Sequence, residues 1–300
     1  MIDTIFPYSY VALCFGVLVG IGITATCLGL FSAVTIIIFI YLGVIRITPF
    51  INYSNALLYK YFPENLSRIH TNIKESFKMS GNTELEENRY IFMWHPHGVF
   101  STSLFFHTSA GLTNAPGIIR NTRPVVFNTL KWLPFLDEIF KENNIIYSNY
   151  HSMKEALLEN SSISVSPGGM REMLFDHSTL LSRRRGIFKM ALETGTPLVP
   201  IISVGENNLS RIYSLPEWLQ DLLEPYDACI CIPTYKTIVK YLNMLSNPLK
   251  DPVISVIGEP IPVEKVEQPT EQQISELRQK YIEILKAMYK KEIGRDLTIL

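Results

Sequence analysis

Apolar positions along this chain fall into two regimes. From Thr4 to Ile45 no residue is charged, and from Val11 to Ile45 nearly every position is apolar, with Gly16, Gly20, Gly22 and Gly29 spread through the run. Beyond residue 88 the apolar positions instead form short β-rich runs: Ile91 to Trp94, Pro124 to Phe127, Ile145 to Tyr147, Ile163 to Ser166, Leu198 to Ser203 and Val253 to Ile257. Stretches of helical character alternate with them, such as Ser152 to Glu159 and Ile187 to Thr194; another precedes them at Leu66 to Met79. The last one repeats Ile274, Leu277, Tyr281, Ile284 and Met288 on one face, with Thr270 and Gln273 spaced as a capping box. This rhythm predicts an α/β fold, a mostly parallel sheet with covering helices, with chemistry at the carboxyl ends of the strands.

The N-terminal run predicts a membrane-embedded segment. A helix needs about 20 residues to cross a bilayer core, and about 35 apolar residues favour a re-entrant helical hairpin, bent near Gly20 to Gly29, over one long tilted helix. Asp3 and the length of the run argue against a cleaved signal peptide. Arg46, Lys60 and Arg68 follow, whereas no lysine or arginine precedes, so residues 46 onward are expected in the cytosol. The expected organisation is an N-terminal tail (1–9), the membrane-embedded hydrophobic segment (10–45), a connector with Tyr61-Phe62-Pro63 (46–88) and an α/β domain (89–300).

Charge narrows the partners. With 27 Lys+Arg against 28 Asp+Glu, nucleic acid is not expected as a main partner. Cys14, Cys27, Cys229 and Cys231 match neither a disulfide framework nor a zinc spacing, and no metal is expected.

Three stretches carry candidate chemistry. In Tyr90-Ile91-Phe92-Met93-Trp94-His95-Pro96-His97-Gly98 a strand ends in two imidazoles, the side chains able to take and return a proton near neutral pH. His95 and His97 are base candidates, and Gly98 permits close approach of a ligand to the main chain; the alternative is two structural histidines at a strand end. In Ser166-Pro167-Gly168-Gly169-Met170-Arg171-Glu172 a strand runs into a glycine turn whose N–H groups can face a phosphate or a developing oxyanion. Glu172 stands where a carboxylate could orient an imidazole or, alternatively, simply begin a helix. Arg183-Arg184-Arg185-Gly186 then leads through Lys189 to Gly195. Arg184, Arg185 and Lys189 form a compact basic patch suited to phosphates, the alternatives being a solvated helix start or contact with anionic headgroups. Glu206 and Asn207, after the run ending at Val204-Gly205, are pocket candidates.

These motifs together resemble the diacylglycerol acyltransferase type 2 family. The resemblance rests on Tyr61-Phe62-Pro63, His95-Pro96-His97-Gly98, and Pro167-Gly168-Gly169 with Glu172. It continues through Arg184-x-Gly186-Ile187-x-Lys189-x-Ala191, Val199-Pro200 and Gly205-Glu206-Asn207, and on through Val256 to Val263 and Pro269-Thr270. It covers nearly everything from the apolar segment to the C-terminal helix. Ile187 and Val204 stand where the family usually has phenylalanine, and neither histidine has the aspartate five residues on that glycerolipid acyltransferases use, those positions being Phe100 and Thr102. The second departure is shared by the family.

The resemblance implies a glycerolipid-acyltransferase-like fold behind the membrane hairpin, in the endoplasmic reticulum membrane and on lipid droplets, with the catalytic domain (89–300) facing the cytosol. It implies acyl-CoA as a substrate, not a cofactor, and a lipid alcohol as acceptor, diacylglycerol first, with monoacylglycerol or a fatty alcohol as alternatives. His97, oriented by Glu172, would remove the alcohol proton, with His95 the second choice. N–H groups near Gly98, Gly168 or Gly169 would stabilise the oxyanion, and Arg184, Arg185 and Lys189 would hold the CoA phosphates. A homo-oligomer is compatible with this reading. An acyl-CoA hydrolase and a non-catalytic lipid-droplet scaffold are the rivals from other classes.

Overall fold

The computed structural model describes residues 63–299 except 87, 99–100, 109–111, 129, 131–139, 141–142, 170–171, 173–177, 180, 182–183, 210, 214–215, 217 and 220–231. The tail and the hydrophobic segment expected at 1–45, and Tyr61-Phe62, therefore lie outside the described residues. Among the described residues no helix is long and apolar enough to cross a membrane.

The chain runs α1 (Pro63–Ser76), β1 (Phe77–Gly81), β2 (Ile91–His95), α2 (Thr102–Thr108), α3 (Gly117–Arg120), β3 (Arg123–Val126), β4 (Ile146–Tyr147), α4 (Tyr150–Leu158), β5 (Ile163–Val165), β6 (Ser178–Thr179), α5 (Gly186–Thr194), β7 (Leu198–Val204), α6 (Glu206–Leu209), α7 (Tyr235–Ser246), β8 (Val253–Ile257), α8 (Glu271–Ile293) and β9 (Thr298–Ile299). Seven strands form one sheet in the order β1-β8-β7-β2-β5-β3-β4. Every neighbouring pair is parallel except β7 and β8. The protein is thus a mixed α/β fold built on a mostly parallel sheet.

Parallel strands buried on both faces must be apolar throughout, which is why β2 and most of β7 read as unbroken apolar runs. Side chains still alternate between faces. Ile91 and Met93 of β2 join a core with α4, α5 and α8, whereas Phe92 and Trp94 pack with Leu104 of α2 and Ile119 of α3 on the other face. α8 opens with both halves of the capping box between Thr270 and Gln273, and Gly195 ends α5 in the left-handed conformation, with φ 64°.

Two expectations change. The helical stretch expected at Leu66 to Met79 runs from Pro63 and stops at Ser76, after which Phe77–Gly81 is an edge strand parallel to β8. Phe77, buried beside Val253 in the core, favours the strand. The stretch expected to be only a connector (46–88) therefore supplies a helix and a strand to the domain. The second change is the presence of α2, α3, α6, α7, β6 and β9, which lie outside the runs named from the apolar pattern.

Candidate active site

β2, β5 and β7 lie side by side and parallel, so their carboxyl ends meet at one edge of the sheet. Three segments leave that edge together: Pro96-His97-Gly98 after β2, Ser166-Pro167-Gly168-Gly169 after β5, and Gly205-Glu206 after β7. A crevice at the carboxyl edge is where α/β sheets place their ligands.

The two histidines separate there. His95, the last residue of β2, follows the strand's alternation onto the α8 face, where it is 1% exposed. Its Nε2 shares a 3.0 Å hydrogen bond with the Tyr281 hydroxyl. Burial pushes its imidazole down to about 3 and the tyrosine well above its ordinary range, with the nearby Glu172 charge adding to the latter. His97 is half-buried, and its Nδ1 lies 2.7 Å from the carbonyl oxygen of Gly98. A carbonyl only accepts, so Nδ1 carries the proton and Nε2 keeps the lone pair. Burial lowers the His97 pKa; the Gly98 hydrogen bond opposes that, and the Arg184 charge adds to it. The ring is therefore neutral, and basic at Nε2, at neutral pH.

Glu172 does not take the place expected for it. Its carboxylate, 3% exposed, accepts from the main-chain N–H of His97 at 3.2 Å and from the Thr179 hydroxyl at 2.9 Å. It holds the backbone of the histidine segment, while the ring proton is directed by Gly98. The carboxylate sits where a side chain at position 168 would be: a Cβ on Gly168 would lie 1.3 Å from Glu172 Oε2. Gly168 is required by that approach.

The glycine turn is fixed from its other side by Arg184, whose Nη2 donates to the Gly168 carbonyl at 3.2 Å. Gly169 has a φ of 67°, and a Cβ there would meet Arg184 Nη2 at 2.8 Å. Its own N–H donates to Ser166 O at 3.3 Å, so this amide, expected to face an oxyanion, is already engaged. A Ser101 to Ser166 hydroxyl bond of 3.1 Å ties the first and second segments together.

Glu206 is likewise a clamp rather than an exposed pocket wall. It is 1% exposed and accepts from the N–H groups of Thr102 (2.8 Å) and Ser103 (3.3 Å) and from the Ser103 hydroxyl. These are the first residues of α2, whose N-terminus favours a carboxylate. Gly98, at φ 59°, leaves room for it, since a Cβ there would lie 2.9 Å from Glu206 Oε1. Burial raises the Glu206 pKa to about 7, against the hydrogen bonds from Ser103 and Thr102. Asn207 is half-buried beside it.

The compact basic patch is divided. Only Arg184 turns towards the glycine segment and His97. Arg185 is exposed and pairs with Glu271 at the start of α8, 2.9 Å away. Lys189 is exposed one turn along α5, 3.7 Å from Glu193 and 5.9 Å above the Tyr150 ring. Among the described residues no group of three or more His, Cys, Asp or Glu could hold a metal ion. Thr179, Tyr281 and the Thr102-Ser103 amides are site residues that sequence reasoning did not single out. The periodicity placed Tyr281 in the core, and only its hydroxyl hinted at a polar partner.

The model of the diacylglycerol acyltransferase family matches residues 32–295, a stretch that includes every residue of this site. The chain belongs to that family. Among curated relatives, 2-acylglycerol O-acyltransferase 1 of Mus musculus is 28% identical over 224 residues, covering 69% of this chain and 66% of that protein. Diacylglycerol O-acyltransferase 2 of Dictyostelium discoideum is 27% identical over 259 residues, with shares of 79% and 73%. The human protein of the same name is 29% identical over 223 residues, with shares of 69% and 57%. The chain thus spans about two thirds of the length of the family members it matches, and less of the human one. Among solved structures, the 1-acyl-sn-glycerophosphate acyltransferase of Thermotoga maritima aligns with a TM-score of 0.47 and 15% identity, over 87% of this chain and 96% of that one.

Proposed function

We propose that this protein transfers a fatty acyl group from acyl-CoA to the free hydroxyl of diacylglycerol, forming triacylglycerol, with His97 as general base. The observation that carries the proposal is the His97 ring. In a chain of this family it stands at the carboxyl edge of the sheet, with Nδ1 held by Gly98 O and Nε2 left basic.

Nε2 takes the proton of the acceptor hydroxyl as its oxygen attacks the thioester carbonyl, giving a tetrahedral oxyanion. The C–O bond forms, the C–S bond breaks as the intermediate collapses, and coenzyme A leaves as a thiolate that recovers the proton from the imidazolium. No cofactor is needed, because the thioester is already activated and a base suffices. Glu172 acts by holding the histidine segment, Glu206 by fixing the start of α2 that follows it, and His95 by packing the segment onto α8. Amides at Gly98 and Gly168 would face the oxyanion, and Arg184, with Arg185 and Lys189, would meet the CoA phosphates. The acceptor is a bilayer lipid, which fits an enzyme embedded through residues 10–45 in the endoplasmic reticulum membrane, catalytic domain in the cytosol, with access to lipid droplets.

Family members named for 2-acylglycerol and for diacylglycerol match at similar identity, so monoacylglycerol is the second reading. The test is an assay of membranes containing the protein, with labelled oleoyl-CoA and separate diacylglycerol, monoacylglycerol, fatty alcohol and sterol acceptors. Labelled triacylglycerol is expected. Ester on monoacylglycerol alone moves the assignment to that acceptor, free fatty acid alone indicates a hydrolase, and no turnover with any acceptor indicates a scaffold.

A further inference from the structure

α7 is a helix with two apolar faces, only one of which the described residues cover. Tyr241 and Met244 are buried in a core with Ile73 of α1 and Phe77. The helix is fastened to α1 by Asn72 Nδ2, which donates to Leu245 O at 3.0 Å. On the opposite face Tyr235, Val239 and Leu242 recur at helical spacing, and Tyr235 and Leu242 are 72% and 47% exposed. Ahead of the helix Ile232, and beside it Tyr213, are also exposed, the two adjoining through a 2.9 Å hydrogen bond from Tyr213 N–H to Ile232 O.

The charged side chains of α7 have one sign. α7 contains Lys236 and Lys240 and no acidic residue. Lys240 donates to Asn208 O at 2.7 Å, while Lys236 lies exposed along an open groove of about 380 Å³ that Lys250 also lines. Exposed tyrosine and aliphatic side chains bordered by lysines match the chemistry of the bilayer interface, where aromatic rings sit at headgroup level and lysines meet anionic lipids. The covered face leads to the site: the Tyr241 hydroxyl is 2.6 Å from Thr102 Oγ1, at the start of the helix that Glu206 caps.

We infer that the exposed face of α7 is a second membrane contact, on which Tyr213, Ile232, Tyr235 and Leu242 enter the interfacial layer of an anionic bilayer while Lys236 and Lys250 meet its headgroups. The occupant is the lipid surface, not a protein partner, because the exposed face of α7 pairs interfacial aromatic and aliphatic side chains with lysines and with no acidic residue of the same helix. The inference rests on these side chains and not on the transfer reaction, so it stands or falls separately from the proposed activity.

The test uses the full chain in vesicles, in a background where Cys14, Cys27, Cys229 and Cys231 are serine, with Tyr235→Cys, Leu242→Cys or, as a solvent reference on α4, Leu158→Cys. Leu158 is 62% exposed. Each variant carries an environment-sensitive fluorophore and is titrated with lipids bearing a spin label near the headgroup. Quenching at positions 235 and 242 is expected to exceed that at 158 by about threefold or more in anionic vesicles. Adding Lys236→Gln and Lys250→Gln is expected to lower it by about half there and to leave it unchanged in neutral vesicles. Equal quenching at all three positions, or a signal that follows protein density rather than the lipid quencher, overturns the inference. Quenching indifferent to both lysines overturns its headgroup component. Positions 158, 235 and 242 are exposed, and circular dichroism of each variant verifies that it folds.

Discussion

The environments of His95 and His97, one proline apart, show how a strand end can make two different uses of the same side chain. His95 obeys the alternation of β2, goes into the core against Tyr281, and is held neutral by burial. His97 lies past the end of the strand, where a main-chain carbonyl fixes its tautomer and leaves the other nitrogen basic. The difference teaches that where the strand stops decides which imidazole keeps a nitrogen outside the core, and that the surrounding carboxylates serve the backbone rather than the ring.

The most severe break of this arrangement is Gly168→Ala. Its Cβ would fall 1.3 Å from Glu172 Oε2, so the carboxylate must leave the His97 N–H. A displacement of that size is expected to cost about hundredfold in turnover and about 1–3 kcal/mol or more in stability, read by acyl transfer and by chemical denaturation. Tyr281→Phe breaks only the His95 side. Leaving a buried imidazole nitrogen without its partner is expected to cost about 1–3 kcal/mol, while transfer stays within about tenfold of wild type, because His97 is untouched.

Acid titration of stability sharpens the comparison further. His95 titrates at about 3 in the fold and about 6.5 when unfolded. Between those values the unfolded chain binds one more proton, so the contribution of this residue is present above about pH 6.5 and is lost as pH falls towards 3. His95→Gln is expected to make the stability curve shallower by about 1.4 kcal/mol per pH unit in that window. Glu206 has the opposite sign. Its pKa is about 7 in the fold against an ordinary 4.5, so the folded state binds the extra proton and stability falls as pH rises from 4.5 through 7. Glu206→Gln is expected to remove that fall and leave the acid side unchanged, a smaller effect because the amide oxygen can still accept from the Ser103 N–H and hydroxyl, although the Thr102 N–H then loses its acceptor.

Much of this was legible in the sequence. Parallel strands buried on both faces leave unbroken apolar runs, so the six expected strands appear within a residue or two of β2, β3, β4, β5, β7 and β8. β1 escaped because an edge strand of five residues with Lys78 and Ser80 lacks that signature. The motifs located the site, since residues far apart in sequence stood at strand ends that the parallel order brings together. What they could not say was which atom each side chain would meet. Glu172 reaches the main-chain N–H of His97 instead of its imidazole, a choice that spacing does not encode. Arg184, Arg185 and Lys189 read as one patch, yet neighbouring residues at a helix start point about 100° apart, which turns Arg184 inward and Arg185 towards Glu271. Tyr281 matched the core periodicity, and periodicity does not reveal where a buried hydroxyl finds its partner.

The most direct test of the account is kcat/KM for acyl transfer from labelled acyl-CoA to diacylglycerol in His97→Gln and His95→Gln, at equal amounts of folded protein. The account predicts a loss of about 10²- to 10⁴-fold for His97→Gln and a change of no more than about tenfold for His95→Gln. The reverse order, with the buried histidine indispensable and the outer one replaceable, would contradict it.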